Sequence, residues 1–178
     1  MSQQTEEQTI NVGVIGAGGR MGRMLIEAVQ DNPQTTLNAA IERQGSSLVG
    51  ADAGEVAAIG RLEVQIVDDL KAVINDIDVL IDFSLPDATE QNMQICAANK
   101  VAMVIGTTGF NEQQEQVLKE ASKQIAIVYA GNYSTGVNLS LKLLAMAAKA
   151  FGNDADVEVI EAHHKHKIDA PSGTAYMM

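Results

Sequence analysis

A chain of 178 residues carrying a formal net charge of −11 has room for one full domain and a piece of another, and too little positive charge to neutralise a run of phosphates, which excludes nucleic acid as a partner. Hydrophobic residues make up 46% of it and Trp is absent, so the expected core is aliphatic. A single cysteine excludes an intrachain disulfide, no stretch approaches the length of a membrane span, and Met1–Thr9 has no signal-peptide character, so a soluble cytoplasmic protein is expected.

Residues 1–8 read as a disordered lead-in. Ile10–Ile15 is a short apolar strand that runs into Gly16-Ala17-Gly18-Gly19-Arg20-Met21-Gly22 and then into a helical pattern over Arg23–Val29. Strand, glycine turn and helix are the context of a dinucleotide-binding loop, in which close backbone amides and a helix N-terminus meet a pyrophosphate. Gly16 and Gly18 fit the general fingerprint, but Met21 stands in its third position and the glycine comes one residue later, at Gly22. An ordinary strand-to-helix turn is the alternative. The next strand, Thr35–Ile41, ends in Glu42-Arg43. Glu42 stands where an acidic residue meets the adenosine ribose hydroxyls, and Arg43 beside it suits a 2′-phosphate. The pair predicts use of both NADH and NADPH; a surface ion pair is the alternative.

Gln44–Gly60 is a long excursion with no assigned role. Leu62–Val67 alternates as a strand, and Asp68 is expected to cap a short helix over Asp69–Ile74. Ile77–Phe83 is a buried-type strand, followed by a helix from Pro86 to about Ala98. Val101–Ile105 is a strand ending in Gly106-Thr107-Thr108-Gly109. Asn111 and Gln114 form a capping box for a helix reaching Lys123. Ile125–Tyr129 is a further strand ending in Ala130-Gly131-Asn132-Tyr133. Parallel strands place their C-terminal ends together, so loops 106–109 and 130–133 should share the sheet edge with loop 16–22, where a nicotinamide ring would meet them. The alternation of strand and helix up to Tyr133 predicts a doubly wound α/β domain with a parallel sheet. Ser134 should cap a long amphipathic helix ended by Gly152, whose stripe of Val137, Leu141, Leu144, Ala145 and Ala148 reads as core.

Val157–Ile160 reads as a strand that delivers Glu161 and a cationic island. All three histidines, His163, His164 and His166, lie in it, interleaved with Lys165 and Lys167 and followed by Pro171-Ser172-Gly173-Thr174. Histidine passes protons near neutral pH, lysine supplies a fixed charge or an acidic proton, and Ser172–Thr174 supply N–H groups and hydroxyls at a helix start. The combination suits proton donation to an anionic substrate. A solvated loop is the bland alternative. No metal site is expected, since Cys96 is far off in sequence and no second ligand cluster is near. Asp156, Glu158 and Glu161 flank the island, either solvating it or orienting a histidine.

The run Glu158-Val159-x-Glu161-x-His163-x-x-x-Lys167-x-Asp169-x-Pro171-Ser172-Gly173-Thr174-Ala175 resembles the signature of the dihydrodipicolinate reductase family. Gly16-x-x-Gly19-x-x-Gly22, Glu42-Arg43, Gly106-Thr107-Thr108-Gly109 and Asn132-Tyr133-Ser134 match the family in order and spacing. The resemblance implies a Rossmann-type dinucleotide-binding domain over 1–133 and, over 134–178, the incomplete start of an α+β substrate domain. It implies NADH- or NADPH-dependent reduction of 4-hydroxy-tetrahydrodipicolinate, a small dicarboxylate, in diaminopimelate and lysine synthesis. Gly16, Ala17, Gly18, Gly19, Arg20 and Met21 would cradle the pyrophosphate, and Glu42 and Arg43 would read the ribose. Gly106, Thr107, Thr108, Ala130, Gly131, Asn132 and Tyr133 would hold the nicotinamide end. His163 would donate or accept a proton, Lys167 would donate one as hydride arrives, and His164, Gly173 and Thr174 would hold the substrate carboxylates. The family's chain continues past Met178 and builds a homotetramer. A C-terminally truncated member is therefore expected, either active or a catalytically incomplete nucleotide-binding fragment.

Overall fold

The computed structural model describes residues 9–165 and 171–178. The expected lead-in 1–8, His166 and Lys167 lie outside the described residues. By internal contact the chain divides into one unit ending at Tyr129 and another from Ala130 to Met178.

The first unit is built on six strands: β1 (Ile10–Ile15), β2 (Thr35–Ile41), β3 (Ile66–Val67), β4 (Val79–Asp82), β5 (Ala102–Ile105) and β6 (Ile127–Tyr129). Their order is β3-β2-β1-β4-β5-β6 and every pairing is parallel. The order reverses between β1 and β4, and such a switch point opens a crevice at the C-terminal ends of the strands. Helices α1 (Arg20–Asp31), α2 (Ala53–Ala57), α3 (Pro86–Asn99) and α4 (Glu112–Ala121) complete the unit.

Two aliphatic clusters carry the core. One joins Val12, Val14, Leu37 and Ala40 to Ile26 and Val29 of α1 and to Ala53 of α2. The other joins Ala39, Ile41, Leu80, Met103 and Ile105 to Met93, Cys96 and Ala97 of α3 and to Ala121 of α4. Strict alternation along β2 would put Leu37 on the side of Ala39 and Ile41. The register slips instead, Val12 facing Leu37 and Gly13 facing Ala39, so the extra residue at Asn38 moves Leu37 to the α1 side.

Local chemistry sets the helix ends. Pro86 stands in the first turn of α3, where its missing N–H removes nothing. At α4 the Asn111 side chain accepts from Gln114 N at 2.9 Å, and Gln114 Oε1 accepts from Asn111 N at 3.1 Å, the expected capping box. Cys96 is buried, and burial, with the Asp82 carboxylate second, pushes its thiol up to about 12. It stays protonated at neutral pH and offers no nucleophile. Among the described residues, no helix is long and apolar enough to cross a membrane.

The sequence expectation fails over 62–76. Of the expected strand Leu62–Val67, only Ile66–Val67 joins the sheet, and Gln65 makes an isolated antiparallel bridge to Asp52. The Asp52 carboxylate accepts from the amides of Gly54, Glu55 and Leu62, and Glu63 sits at φ 62°, which breaks the strand conformation. These amides, Leu62 foremost, hold the Asp52 carboxyl below its ordinary value against the opposing effect of burial. The expected helix Asp69–Ile74 is two 3-10 turns, Leu70–Ala72 and Ile74–Asp76. Asp69, not Asp68, caps the first, accepting from Lys71 N at 2.9 Å.

The second unit contains α5 (Thr135–Phe151) and α6 (Gly173–Met177). Ser134 caps α5, accepting from Val137 N, and Gly152 at φ 56° ends it, both as expected. Its stripe is not core, however. No residue of α5 is buried, and Leu141, Leu144, Ala145 and Ala148 line an open apolar groove with Val157, Val159 and Ile160. Residues 157–160 form no strand, because none of the described residues pairs with them.

Candidate functional site: the switch-point cleft and the Glu161–His163 cluster

β1 hands the chain to α1 through the glycine loop. Gly16 takes φ +71°, and its carbonyl accepts from Gly19 N at 2.9 Å, turning the chain into the helix. A Cβ on Gly22 would stand 2.0 Å from the Gly16 carbonyl oxygen. Gly22 therefore does the work of the third fingerprint glycine, close packing of helix against strand, one position later than the general pattern. No side chain caps α1 at Gly19, and no acidic residue stands in its first turn. Unclaimed first-turn amides at a helix N-terminus suit an anion.

Glu42 leaves the end of β2 and turns back over this loop. Its Oε1 accepts from Gly18 N at 2.8 Å and its Oε2 from Arg43 N at 3.2 Å, fixing the carboxylate at the lip. Leu48, from the excursion without an assigned role, sits against Gly18, so that segment shapes one wall of the loop.

Two adjoining clefts open along the sheet edge. One, about 300 Å³, is lined by Gly16, Gly19, Arg20, Met21 and Gly22 of the loop. The other, about 810 Å³, takes in Arg43, Asp69, Leu85 and Ala88. Ile15, Gly16, Glu42 and Phe83 line both. Phe83 was not singled out from the sequence. It follows β4, and a Cβ on Gly106 would stand 2.1–2.4 Å from three of its ring carbons, so the glycine leaves the ring its place. Thr107 is 2% exposed and its hydroxyl lies 2.8 Å from that of Thr89, whereas Thr108 is exposed. The signal for this missed region was an aspartate, Asp82, inside an otherwise apolar strand.

In the second unit, Asn132 anchors the segment 130–133. Its Oδ1 accepts from Ser134 N at 2.8 Å, its carbonyl from Asn138 Nδ2 at 3.0 Å, and its Nδ2 lies 3.5 Å from Thr174 Oγ1. Glu161 joins the two parts of the signature. Its Oε1 accepts from Ser172 N at 2.9 Å, and its Oε2 lies 3.6 Å from His163 Nδ1. Ser172 is buried and caps α6, accepting from Ala175 N at 3.1 Å. At 3.6 Å the Glu161–His163 contact is longer than a hydrogen bond, and it is an ion pair only when the imidazole is protonated. His163 and His164 are exposed; Gly173 and Thr174 open α6.

The residues fit a dinucleotide: an uncapped helix N-terminus behind a glycine loop, an acidic residue at the end of β2, and a cleft at the switch point of a parallel sheet. They define a doubly wound dinucleotide-binding domain. The chain belongs to the dihydrodipicolinate reductase family: the family model for its N-terminus matches residues 10–133, and the model for its C-terminus matches residues 136–178. It is 89% identical over its whole length to the 4-hydroxy-tetrahydrodipicolinate reductase of Psychrobacter arcticus, covering 64% of that protein. It is 59% identical over 167 residues to that of Acinetobacter baylyi, which spans 94% of this chain and 61% of the relative. A dipicolinate-bound dihydrodipicolinate reductase from Paenisporosarcina sp. TG-14 superposes with a TM-score of 0.73 at 31% identity, covering 95% of this chain and 63% of the other. The chain thus spans less than two thirds of the length of the curated relatives it matches.

Proposed function

We propose that the protein serves the NADH- or NADPH-dependent reduction of 4-hydroxy-tetrahydrodipicolinate to tetrahydrodipicolinate, in diaminopimelate and lysine synthesis. The observation that carries this reading is the glycine loop with Glu42 folded over it, in a chain whose second unit holds Glu161 between His163 and the Ser172 amide. A bound dihydronicotinamide supplies the hydride. The loop Gly16–Met21 holds the pyrophosphate at the first turn of α1, Glu42 accepts from ribose hydroxyls, and residues 106–108 and 130–133 meet the nicotinamide end.

Reduction of a conjugated imine or enamine requires a proton as well as hydride. His163, oriented by Glu161, and Lys167 supply and return that proton. The dicarboxylate is held by His164 and by the N–H groups and hydroxyl at Gly173 and Thr174, since carboxylates favour charge-assisted donors and a helix start. Dipicolinate, bound by the Paenisporosarcina relative, is itself a flat ring with two carboxylates and fits this reading.

Two substitutions test it. Lys167→Ala in the full-length protein is expected to lower turnover by about 10²–10⁴-fold, the range of general acid catalysis, with NADH affinity unchanged. Stopped assays with freshly generated substrate and calorimetry with NADH check this; equal losses in both would remove the proton-donor role. Arg43 lines the larger cleft beside Glu42. Arg43→Ala is expected to weaken NADPH about tenfold, the loss of one charge-assisted hydrogen bond, and to leave NADH almost untouched. An unchanged ratio of the two affinities would take Arg43 out of the ribose site.

A further inference from the structure

We propose that Asp82 is a positioning residue for the nicotinamide end of the cleft, holding Gly106 through its own carbonyl and Thr107 through Ser84 and Thr89. The inference rests on the reading of the cleft as an NAD(P)H site and assigns a buried network that this reading does not otherwise use. Asp82 ends β4 beside the switch point and is 0% exposed. Its carbonyl accepts from Gly106 N at 2.9 Å. Its Oδ1 accepts from both the amide and the hydroxyl of Ser84, at 2.8 and 2.6 Å, and its Oδ2 accepts from Asn92 Nδ2 at 2.8 Å. Beyond Ser84 the chain of hydroxyls continues: Ser84 Oγ lies 3.3 Å from Thr89 Oγ1, which lies 2.8 Å from Thr107 Oγ1. Thr89 and Thr107 are both buried.

The chain of hydroxyls ends on the carboxylate. The Ser84 hydroxyl donates its single proton to Asp82 Oδ1. The Thr89 proton then has two acceptors behind it, Ser84 Oγ and the Leu85 carbonyl at 3.2 Å. The Thr89 and Thr107 hydroxyls share one hydrogen bond, which either can donate, and it holds the Thr107 side chain inward. Gly106 is pinned by its amide and Thr107 by its side chain.

Among the described residues no cation pairs with this buried carboxylate, which is costly, and an apolar group of similar volume would serve stability as well or better. Its three donors are all neutral, and they belong to the loop after β4 and to α3. What it adds over an apolar residue is a hydrogen-bonded connection, through Ser84 and Thr89, to the loop after β5. A purely structural role predicts lower stability with no preference between ligands. A positioning role predicts a selective loss at the nicotinamide end.

ADP-ribose, which shares the adenosine, pyrophosphate and second ribose with NADH but lacks the nicotinamide, separates the two. Thr89→Val keeps the shape and removes the hydroxyl. In the 178-residue chain it is expected to raise the NADH dissociation constant about tenfold and to leave that of ADP-ribose within about twofold, while Thr89→Ser keeps NADH affinity at the wild-type level. Ser84→Ala, at a half-buried position, makes the same cut on the other side of Thr89 and should give the same pattern if the valine variant folds poorly. Equal weakening of both ligands, or of neither, in folded variants overturns the positioning role alone. A wild-type chain that binds neither ligand overturns the NAD(P)H reading and this inference with it.

Discussion

Alanine at Gly22 is expected to lower stability and abolish NADH binding together. Its Cβ would meet the Gly16 carbonyl oxygen at 2.0 Å and the Ala17 Cα at 2.8 Å, both backbone atoms. Nothing flexible can yield there; α1 must move off the loop. Helix propensity acts the other way, favouring alanine over glycine by about 1 kcal/mol in a helix interior. Overpacking of a close contact costs about 1–3 kcal/mol or more, and against backbone the upper end applies, so the net effect is destabilising. The same displacement turns the Gly16 carbonyl and the amides behind it, which hold the pyrophosphate in our reading. Thermal melting and NADH calorimetry on the variant check both parts. Unchanged melting would mean that the helix and loop are less tightly packed than the geometry states.

Alanine at Gly106 should behave differently, losing affinity with a smaller loss of stability. Here the clash is with the ring of Phe83, at 2.1–2.4 Å, and a side chain at the margin of a cleft has somewhere to go. The ring is expected to swing into the space shared by the two clefts. NADH affinity should fall at least tenfold, about 1.4 kcal/mol or more, with a melting shift smaller than that of the Gly22 variant. Phe83→Ala in the Gly106→Ala background should recover part of the binding, because it removes the obstruction. No recovery would show that the loop after β5 itself had moved.

Much of the first unit was legible because its signals are local. An apolar run, a glycine turn and an apolar periodic stretch specify β1, the loop and α1, and a capping box within three positions specifies the start of α4. Residues 44–76 were not legible in this way. There a single carboxylate, Asp52, gathers amides up to ten positions away, and no periodicity records that. Asp82 and Phe83 were hidden inside an apolar strand, where their neighbours from α3 and the loop after β5 could not be seen. Periodicity showed that α5 has an apolar face but not that this face lines an open groove among the described residues. Glu161 was legible in part: its place beside the histidines suggested orientation, while its bond to the Ser172 amide needed the fold.

Calorimetric titration of NADH, then NADPH, into the 178-residue chain tests the central claim most directly. The claim is that the glycine loop, Glu42 and the switch-point cleft form an NAD(P)H site. Saturable one-to-one binding, lost in the Gly22→Ala variant, is the result predicted. A chain that melts cooperatively yet gives no saturable heat with either nucleotide would contradict it.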